Sequence, residues 1–275
     1  MSAEKILLND ILRIPVSDSV KAKFSKYNGY SDPIDDYLID PNHGNSSWLN
    51  WRGKRGDFRV GQTVLHFMRI RMGGYLLTAV RKVTSDTGVA ESHAYKTEDI
   101  PEYKKYCGRI IIEEPNPPIG LQYIQYFSSV VERLYIKTLL PTQYSGEAFP
   151  GVTNIQNVKL TELRSYKKSY RLDWIAPLSS QKGIYLLTDT ETKKKYIGSA
   201  YGEWGLWQRW MCYIDTDGSG GNRELHKLVK ENPDYVNQHF EFSVLETFGS
   251  ATDDQTIIDR EQWWKRTLHS ELNAN

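Results

Sequence analysis

Two apolar runs on either side of a glycine pair form the clearest pattern in the first half of the chain. The runs lie in VGQTVLHFMRIRMGGYLLTAVRKV and meet at Gly73 and Gly74. Runs rich in Val, Leu, Ile and Phe around such a pair predict a β-hairpin. The segment GRIIIEE, which is followed by PNPP, predicts a further strand.

A helical period follows between Ile119 and Leu140. Apolar residues recur there at steps of three and four, which is the spacing of one helix face. They are Tyr123, Ile124, Phe127, Val131 and Leu134. The pattern predicts a helix over 119–140, which Pro141 would end.

The last third of the chain alternates short strand and helix patterns. Three strands are predicted, over 183–188, over 195–198 and around 240–244. Helices are predicted over 206–213, after the N-cap candidate Asn222, and up to Leu268. We therefore predict the class α+β, with a β-rich domain over 1–175 and a small domain over 176–275. The polar segment near 172–180 is the predicted boundary, and the second domain would hold a three-stranded antiparallel sheet flanked by helices.

Composition narrows the class of protein. The chain has 275 residues, with 18 tyrosines and 8 tryptophans among them. It holds no apolar run of about 18 residues and begins without a basic segment before a long apolar one, so neither a membrane span nor a secretory signal is expected. The two cysteines, Cys107 and Cys212, are far apart and match no disulfide or zinc pattern. A reducing cytoplasm is the expected location.

Charge is unevenly distributed along the chain. Residues 1–180 carry 24 Lys and Arg against 19 Asp and Glu, whereas residues 181–275 carry 11 against 15. The first part is therefore the better candidate for a surface that meets a polyanion such as DNA. The alternative is that these charges serve only to solvate the surface.

The triplets Gly-Ile-Tyr and Tyr-Ile-Gly carry the candidate chemistry. They lie in the predicted hairpin GIYLLTDTETKKKYIG, at 183–185 and 196–198. Because side chains alternate across a sheet, Tyr185 and Tyr196 can stand on the same face. Gly198 would leave room for a group to approach the backbone. Taken alone, these two triplets are better explained as a packing pair of tyrosines across two strands.

Three later residues change that balance. Arg209 and Tyr213 are four residues apart in a predicted helix and so share a face. Glu261 lies on the apolar stripe of the last predicted helix, where a lone carboxylate needs a partner. That partner would be an arginine such as Arg209 or, alternatively, a divalent cation.

These residues, in this order and together with Asn273, resemble the GIY-YIG nuclease superfamily. The resemblance covers Gly183 to the end of the chain. It implies a small three-stranded antiparallel sheet flanked by helices, and a metal-dependent hydrolysis of DNA that leaves a 5′-phosphate and a 3′-hydroxyl. It also implies Mg²⁺ or Mn²⁺ as the cofactor and DNA as the partner.

The resemblance assigns a role to each matched residue. Glu261 corresponds to the single metal ligand, and Tyr185 and Tyr196 to the phenols around the attacking water. Arg209 corresponds to the arginine that holds the scissile phosphate. The last two matches are Tyr213, found in the repair and some restriction branches, and Asn273, a late polar residue that supports the site.

One departure concerns proton transfer. Some branches have a lysine just after the second triplet, where this chain has Ser199 and Ala200. His226, after the N-cap candidate Asn222, is a possible substitute base. Its alternative reading is a histidine on a helix surface.

The first domain faintly resembles the PUA-like barrels, a group that includes readers of modified bases. Trp48 and Trp51 would stack a flipped base, and Arg52, Lys54 and Arg55 would meet phosphates. Alternatively, both tryptophans belong to the core and the basic cluster is a solvated loop.

The predicted function is a DNA endonuclease of a restriction or phage-defence system whose first domain selects the DNA. One active site cuts one strand at a time, so cleavage of both strands predicts a homodimer or sequential nicking. The alternatives are a DNA-repair nuclease, a mobile-element nuclease, and a DNA-binding protein with a degenerate nuclease domain.

Overall fold

The chain divides into two compact units, Met1–Glu147 and Ala148–Asn275. A computed structural model describes residues 4–116 and 123–273. Both units combine sheets and helices, so the class is α+β, as predicted.

A mixed seven-stranded sheet forms the framework of the first unit. Its strands are β1 (Val20–Ser25), β2 (Thr63–Arg69), β3 (Tyr75–Asp86), β4 (Tyr95–Asp99), β5 (Ile110–Ile112), β6 (Tyr123–Tyr126) and β7 (Ile136–Leu139). The order is β6-β1-β2-β3-β5-β7, with β4 also paired to β3. Among the described strands of this sheet, only β1 and β2 run parallel to each other. The hairpin around Gly73 and Gly74 is confirmed as β2–β3, and both glycines have positive φ angles.

The sheet of the first unit stays open over the described residues. Its end strands, β6 and β7, pair with β1 and β5 and not with each other. The predicted PUA-like barrel is therefore not shown. The described part of this unit also contains the short α-helices α1 (Leu8–Leu12), α2 (Pro33–Ile39) and α3 (Pro41–Leu49).

The predicted helix over 119–140 is wrong for its described part. Residues 123–140 form β6, two 3₁₀ turns at Phe127–Ser129 and Val131–Arg133, and β7, while 119–122 lie outside the described residues. The 3₁₀ turns repeat every three residues, so they produce a spacing of buried side chains close to that of an α-helix, which has about 3.6 residues per turn. Tyr and Ile also favour strands, and pairing of β6 with β1 satisfies its backbone.

The second unit is built on an antiparallel sheet in the order β10-β9-β11-β8. Its strands are β8 (Val158–Lys159), β9 (Lys182–Asp189), β10 (Lys195–Ala200) and β11 (Phe240–Phe248). The three predicted strands are confirmed as β9, β10 and β11, and β8 adds a fourth at one edge. The helices are α4 (Leu160–Lys168), α5 (Leu172–Ser179), α6 (Gly205–Asp215), α7 (Arg223–Glu231), α8 (Tyr235–His239) and α9 (Asp254–Leu268).

The boundary between the units lies earlier than the predicted one at 175. Residues 148–175 belong to the second unit because β8 pairs with β11 and their apolar side chains enter its core. Leu163, Tyr166 and Trp174 are buried there. With this boundary, the first unit carries 19 basic and 17 acidic residues, and the second carries 16 and 17. Most of the charge difference between the two parts of the chain therefore disappears.

Two smaller expectations concern membranes and thiols. Among the described residues, none of the helices combines the length and apolarity that crossing a membrane requires. Cys107 and Cys212 both carry free thiols.

The new boundary predicts which fragment folds. A fragment of residues 148–275 should fold cooperatively, whereas 176–275 should not, because it lacks the buried rings of Tyr166 and Trp174. Removing one large aromatic core side chain alone costs about 3–5 kcal/mol. Thermal unfolding followed by near-ultraviolet circular dichroism would measure this. A cooperative transition in 176–275 would contradict the boundary.

Candidate active site

The hairpin β9–β10 carries both tyrosines of the motif on one face. Gly198 lies opposite Tyr185, and Tyr196 lies opposite Leu187. Residues that oppose each other in antiparallel strands point to the same face. All three large side chains belong to the main core of the unit, whereas their strand neighbours pack on the other face against α9. The predicted common face of the two phenols is confirmed.

Gly198 lets the Tyr185 ring cross the partner strand. A β-carbon on Gly198 would meet Tyr185 Oη at 2.3 Å and Cζ at 2.4 Å. These separations are far below the carbon contact distance of about 3.5–4.0 Å. The group for which Gly198 leaves room is therefore the tyrosine of its own hairpin.

Arg209 joins the phenols from α6. Its Nε donates to Tyr185 Oη at 2.9 Å, and that hydroxyl lies 3.0 Å from Tyr213 Oη. Nη1 of Arg209 donates to the Gly220 carbonyl oxygen at 2.9 Å. The guanidinium also lies over the Tyr213 ring, 5.2 Å from its centre. The two buried phenols and the carbonyl thus fix the orientation of the arginine.

Burial keeps these two phenols neutral. It raises the pKa of Tyr185, and the positive charge of Arg209 only partly offsets this. Burial also raises the pKa of Tyr213 well above its ordinary value, and the adjacent Tyr185 hydroxyl adds to the shift. Desolvation acts this way because it disfavours the charged phenolate. In this arrangement Tyr185 is suited to holding Arg209 and not to accepting a proton.

Helix α9 packs on the opposite face of the hairpin. Ile257 is fully buried, and Trp264 and Leu268 pack against the same small cluster. They lie on the helical face of Glu261, at the spacing seen in the sequence. Burial of this apolar face brings the carboxylate of Glu261 to β10.

Lys265 and Ser199 satisfy the Glu261 carboxylate. Lys265 Nζ lies 2.6 Å from Oε1, and Ser199 Oγ donates a short hydrogen bond to Oε2. An ion pair with Arg209, one of the expected alternatives, is not formed. Arg209 is held by Tyr185 and Gly220 instead.

A cavity of about 480 Å³ brings the groups together at the edge of the sheet. Tyr196, Ser199, Arg209 and Glu261 all line it. Strand β10 is an edge strand, and its residues alternate between the two faces. Tyr196 and Arg209 therefore reach the cavity from one face, and Ser199 and Glu261 reach it from the other. Tyr185 and Tyr213 lie behind Arg209 in the core.

Asn273 and His226 occupy different places. The Asn273 side chain accepts from Ile197 N at 2.8 Å and donates to Ile197 O at 2.7 Å. It thus fastens the end of the chain to β10, which fits a supporting role. His226 is exposed on α7 and lies outside the cavity lining.

Sequence reasoning missed Lys265, and it noted Ser199 only for standing where some branches have a lysine. The available signal for Lys265 was its position four residues after Glu261, which puts both on one helix face. The link to Ser199 had no local signal. Tyr201 and Gln208, which also line the cavity, were missed as well.

The two candidate tryptophans in the first unit differ in exposure but line the same cavity. Trp48 is buried and donates from Nε1 to Asp36 Oδ2 at 2.7 Å. Trp51 is 39% exposed and meets His93 edge to face. Both tryptophans line a second cavity, of about 360 Å³, together with Asp36 and three small polar residues.

The basic candidates beside these tryptophans are mostly engaged with acidic partners. Arg52 forms a largely buried ion pair with Asp86 at 3.2 Å. Lys54 lies 3.7 Å from Glu91 in an exposed pair. Arg55 is exposed. Lys54 and Arg55 are therefore more accessible to a phosphate than Arg52.

The donor set of the first cavity fits a Mg²⁺-type cation. Among the described residues, no group of three or more His, Cys, Asp or Glu side chains is placed to hold a metal. Glu261 provides one carboxylate in a cavity that also has hydroxyl groups. Mg²⁺ usually keeps several waters and binds one or two carboxylates plus substrate phosphates. The site suits that mode and not an all-protein cage such as structural zinc needs.

Comparison with known proteins gives two partial likenesses. No protein-family model matches the chain, and no curated protein matches it. The catalytic domain of the homing endonuclease I-TevI is 26% identical over 34% of this chain and 94% of that domain, with a TM-score of 0.27. A variant of that domain is also 26% identical, over 34% of this chain and 90% of that domain, with a TM-score of 0.28. TM-scores this low do not allow properties of that domain to be transferred to this chain. Inferences about the chemistry of the chain therefore rest on its own residues.

The raised pKa of Tyr213 predicts a pH-dependent difference in stability. Tyr213→Phe should be less stable than wild type by about 1 kcal/mol at pH 8, because it loses a buried hydrogen bond. Above pH 10 the gap should narrow by about 1.4 kcal/mol per pH unit. Above that pH this phenol ionises in the unfolded state but not in the folded state, and this lowers the free energy of unfolding of the wild type alone. Urea unfolding between pH 8 and pH 11 would measure the gap, and a constant gap would contradict the shift.

Proposed function

We propose that the chain is a metal-dependent DNA endonuclease of the GIY-YIG type. The observation that carries this proposal is the shared cavity of Tyr196, Arg209 and Glu261. These residues come from β10, α6 and α9, and Glu261 is 65 positions after Tyr196 in the chain. A phenol, a guanidinium and a carboxylate around one cavity can orient a water, neutralise a phosphate and hold a cation, which are tasks of a metal-dependent phosphodiester hydrolysis.

Arg209 binds and orients the phosphate. Its Nε and Nη1 are held by Tyr185 and Gly220, and among the described residues Nη2 has no partner. A guanidinium stays charged and offers planar donors that match phosphate oxygens. Because its orientation is fixed beforehand, little reorganisation is needed when negative charge develops on the phosphate.

Tyr196 is the phenol placed to meet the attacking water. It lines the cavity, whereas Tyr185 is fully buried behind Arg209. The hydroxyl of Tyr196 accepts a hydrogen bond from the water and thereby directs a lone pair of the water oxygen at the phosphorus. The neutral Tyr185 acts through Arg209, so it is a positioning residue.

Glu261 would hold the divalent cation, Mg²⁺ or Mn²⁺. When bound, such an ion polarises a phosphoryl oxygen and stabilises the departing alkoxide. Ser199 keeps the carboxylate at the cavity wall through its hydrogen bond to Oε2.

The first unit would select the DNA in a restriction or phage-defence system. The cavity with Trp48 and Trp51 has two indole rings and polar groups, including the Asp36 carboxylate. Such a site suits a flipped base, which stacks on aromatic rings and presents hydrogen-bonding groups at its edge. Methylated and hydroxymethylated bases are the substrates to test first. Exposed Lys54 and Arg55 would meet the backbone nearby.

A single cavity cuts one strand at a time, so double-strand cleavage would need a homodimer or two successive nicks. Convergence of Tyr196, Arg209 and Glu261 favours an active enzyme over a DNA-binding protein with a degenerate nuclease domain.

Glu261→Gln tests the catalytic proposal. Its rate of plasmid nicking with Mg²⁺ or Mn²⁺ should fall by about 10²–10³-fold, the usual loss for one electrostatic contact to a transition state. DNA binding should change little. Glu224→Gln, which alters an exposed carboxylate on α7 paired with Lys227, is the matched control and should nick normally. Equal nicking by Glu261→Gln and wild type would refute the assignment.

Trp51→Ala tests the choice of DNA. Wild type should cut methylated or hydroxymethylated DNA faster than unmodified DNA, and the variant should lose that preference. Loss of one base–aromatic stack costs about 1–3 kcal/mol, which is about 5- to 150-fold in binding. Tyr126→Ala, which removes an exposed ring outside this cavity, is the control. Equal cutting of all three DNAs by wild type would remove the modified-base proposal.

A further inference from the structure

The two oxygens of the Glu261 carboxylate have different environments. Oε1 faces the Lys265 ammonium at 2.6 Å, and Oε2 accepts from the Ser199 hydroxyl. Ser199 and Glu261 line the cavity, whereas Lys265 lies outside its lining. The oxygen beside Ser199 is therefore the one that a ligand in the cavity meets first.

The ammonium contact is the harder of the two to displace. Hydrogen bonds between charged groups are about twice as strong as neutral ones. The side chains of Lys265 and Glu261 are only 24% and 14% exposed, so water screens this pair poorly. The Ser199 hydroxyl is neutral and can rotate its hydrogen away or share the oxygen.

We infer that Lys265 restricts Glu261 to one-oxygen coordination and thereby selects small divalent cations over calcium. This inference rests on the proposed metal-dependent function and adds a selectivity mechanism to the same site. With Oε1 held by the ammonium, Glu261 offers a cation Oε2 alone.

Coordination chemistry links this restriction to the choice of ion. Ca²⁺ takes six to eight oxygen ligands and often binds a carboxylate through both oxygens. Mg²⁺ needs a near-ideal octahedron and keeps several waters, so a single carboxylate oxygen suits it. A second available oxygen would therefore benefit Ca²⁺ more than the smaller ions. Lys265 is a positioning residue in this scheme, since it acts on the cation through Glu261.

The two other basic residues near Lys265 on α9 are arginines, and they leave the contact with Glu261 Oε1 to Lys265. Arg260 binds Glu246 through Nε and Nη2, at 3.0 Å and 2.9 Å from Oε2. Arg266 is exposed on α9, one residue after Lys265. Arg266 thus supplies a matched control, because its removal changes the charge of α9 equally and leaves Oε1 covered.

The test is calorimetric titration of the full chain with MnCl₂ and with CaCl₂ in the absence of DNA. In Lys265→Met the affinity for Ca²⁺ should rise by about three- to tenfold more than that for Mn²⁺, the size expected for one additional ligand contact. Lys265→Gln should reproduce this result if the methionine variant folds poorly. Lys265→Arg and Arg266→Met should keep the wild-type ratio of the two affinities.

Glu261→Gln distinguishes failure of the inference from failure of the function. If wild type and Glu261→Gln bind Mn²⁺ equally, Glu261 is no ligand, and both the metal site and the inference fall. If binding depends on Glu261 but the ratio in Lys265→Met is unchanged, the inference alone is overturned. An equal change in Arg266→Met would also overturn it, because the effect would then come from charge and not from the released oxygen.

Discussion

Contact between the Tyr185 ring and the bare backbone of Gly198 is the constraint on which the site depends. The two residues oppose each other across β9 and β10, and a β-carbon on Gly198 would lie 2.3 Å from the phenol oxygen. Because the ring can cross the partner strand, its hydroxyl reaches Arg209 and Tyr213. A slip of one residue in this register would move the ring to the other face. The orientation of the Arg209 guanidinium, the proposed phosphate-binding group, thus depends on the absence of a side chain at Gly198.

The position of β10 at the sheet edge explains how the remaining groups meet. In a central strand, residues on opposite faces are separated by the sheet itself. At an edge they can converge, so the phenol of Tyr196 and the carboxylate of Glu261 line one cavity. Asn273 hydrogen-bonds both backbone groups of Ile197 and so secures this strand. The same arrangement brings Ser199 to Glu261 and leaves Lys265 on the far oxygen.

In the proposed enzyme, selection of DNA and cleavage of DNA would rest on different chemistry in the two units. The first unit offers indole rings around a cavity, and two of the basic residues near them, Arg52 and Lys54, are paired with acidic residues. The second unit offers a fixed guanidinium and a carboxylate. With the boundary after Glu147, neither unit has a strong net charge. Recognition in the proposed enzyme would therefore depend on shape and stacking more than on attraction to a polyanion.

The sequence by itself determined the hairpin, the common face of its tyrosines, the helix with Arg209 and Tyr213, and the last helix with Glu261. These follow from periods of two and of three to four residues, which local backbone geometry imposes. The tertiary structure decided the rest. Residues 123–126 form strand β6, although the spacing of apolar residues predicts a helix there. The 3₁₀ turns that follow mimic a helical spacing, and pairing with β1 satisfies the backbone of β6. Residues 148–175 join the second unit through contacts with β11 and its core. The contact between Glu261 and Ser199 depends on how α9 packs against an edge strand, and such long-range packing leaves no periodic trace in the sequence.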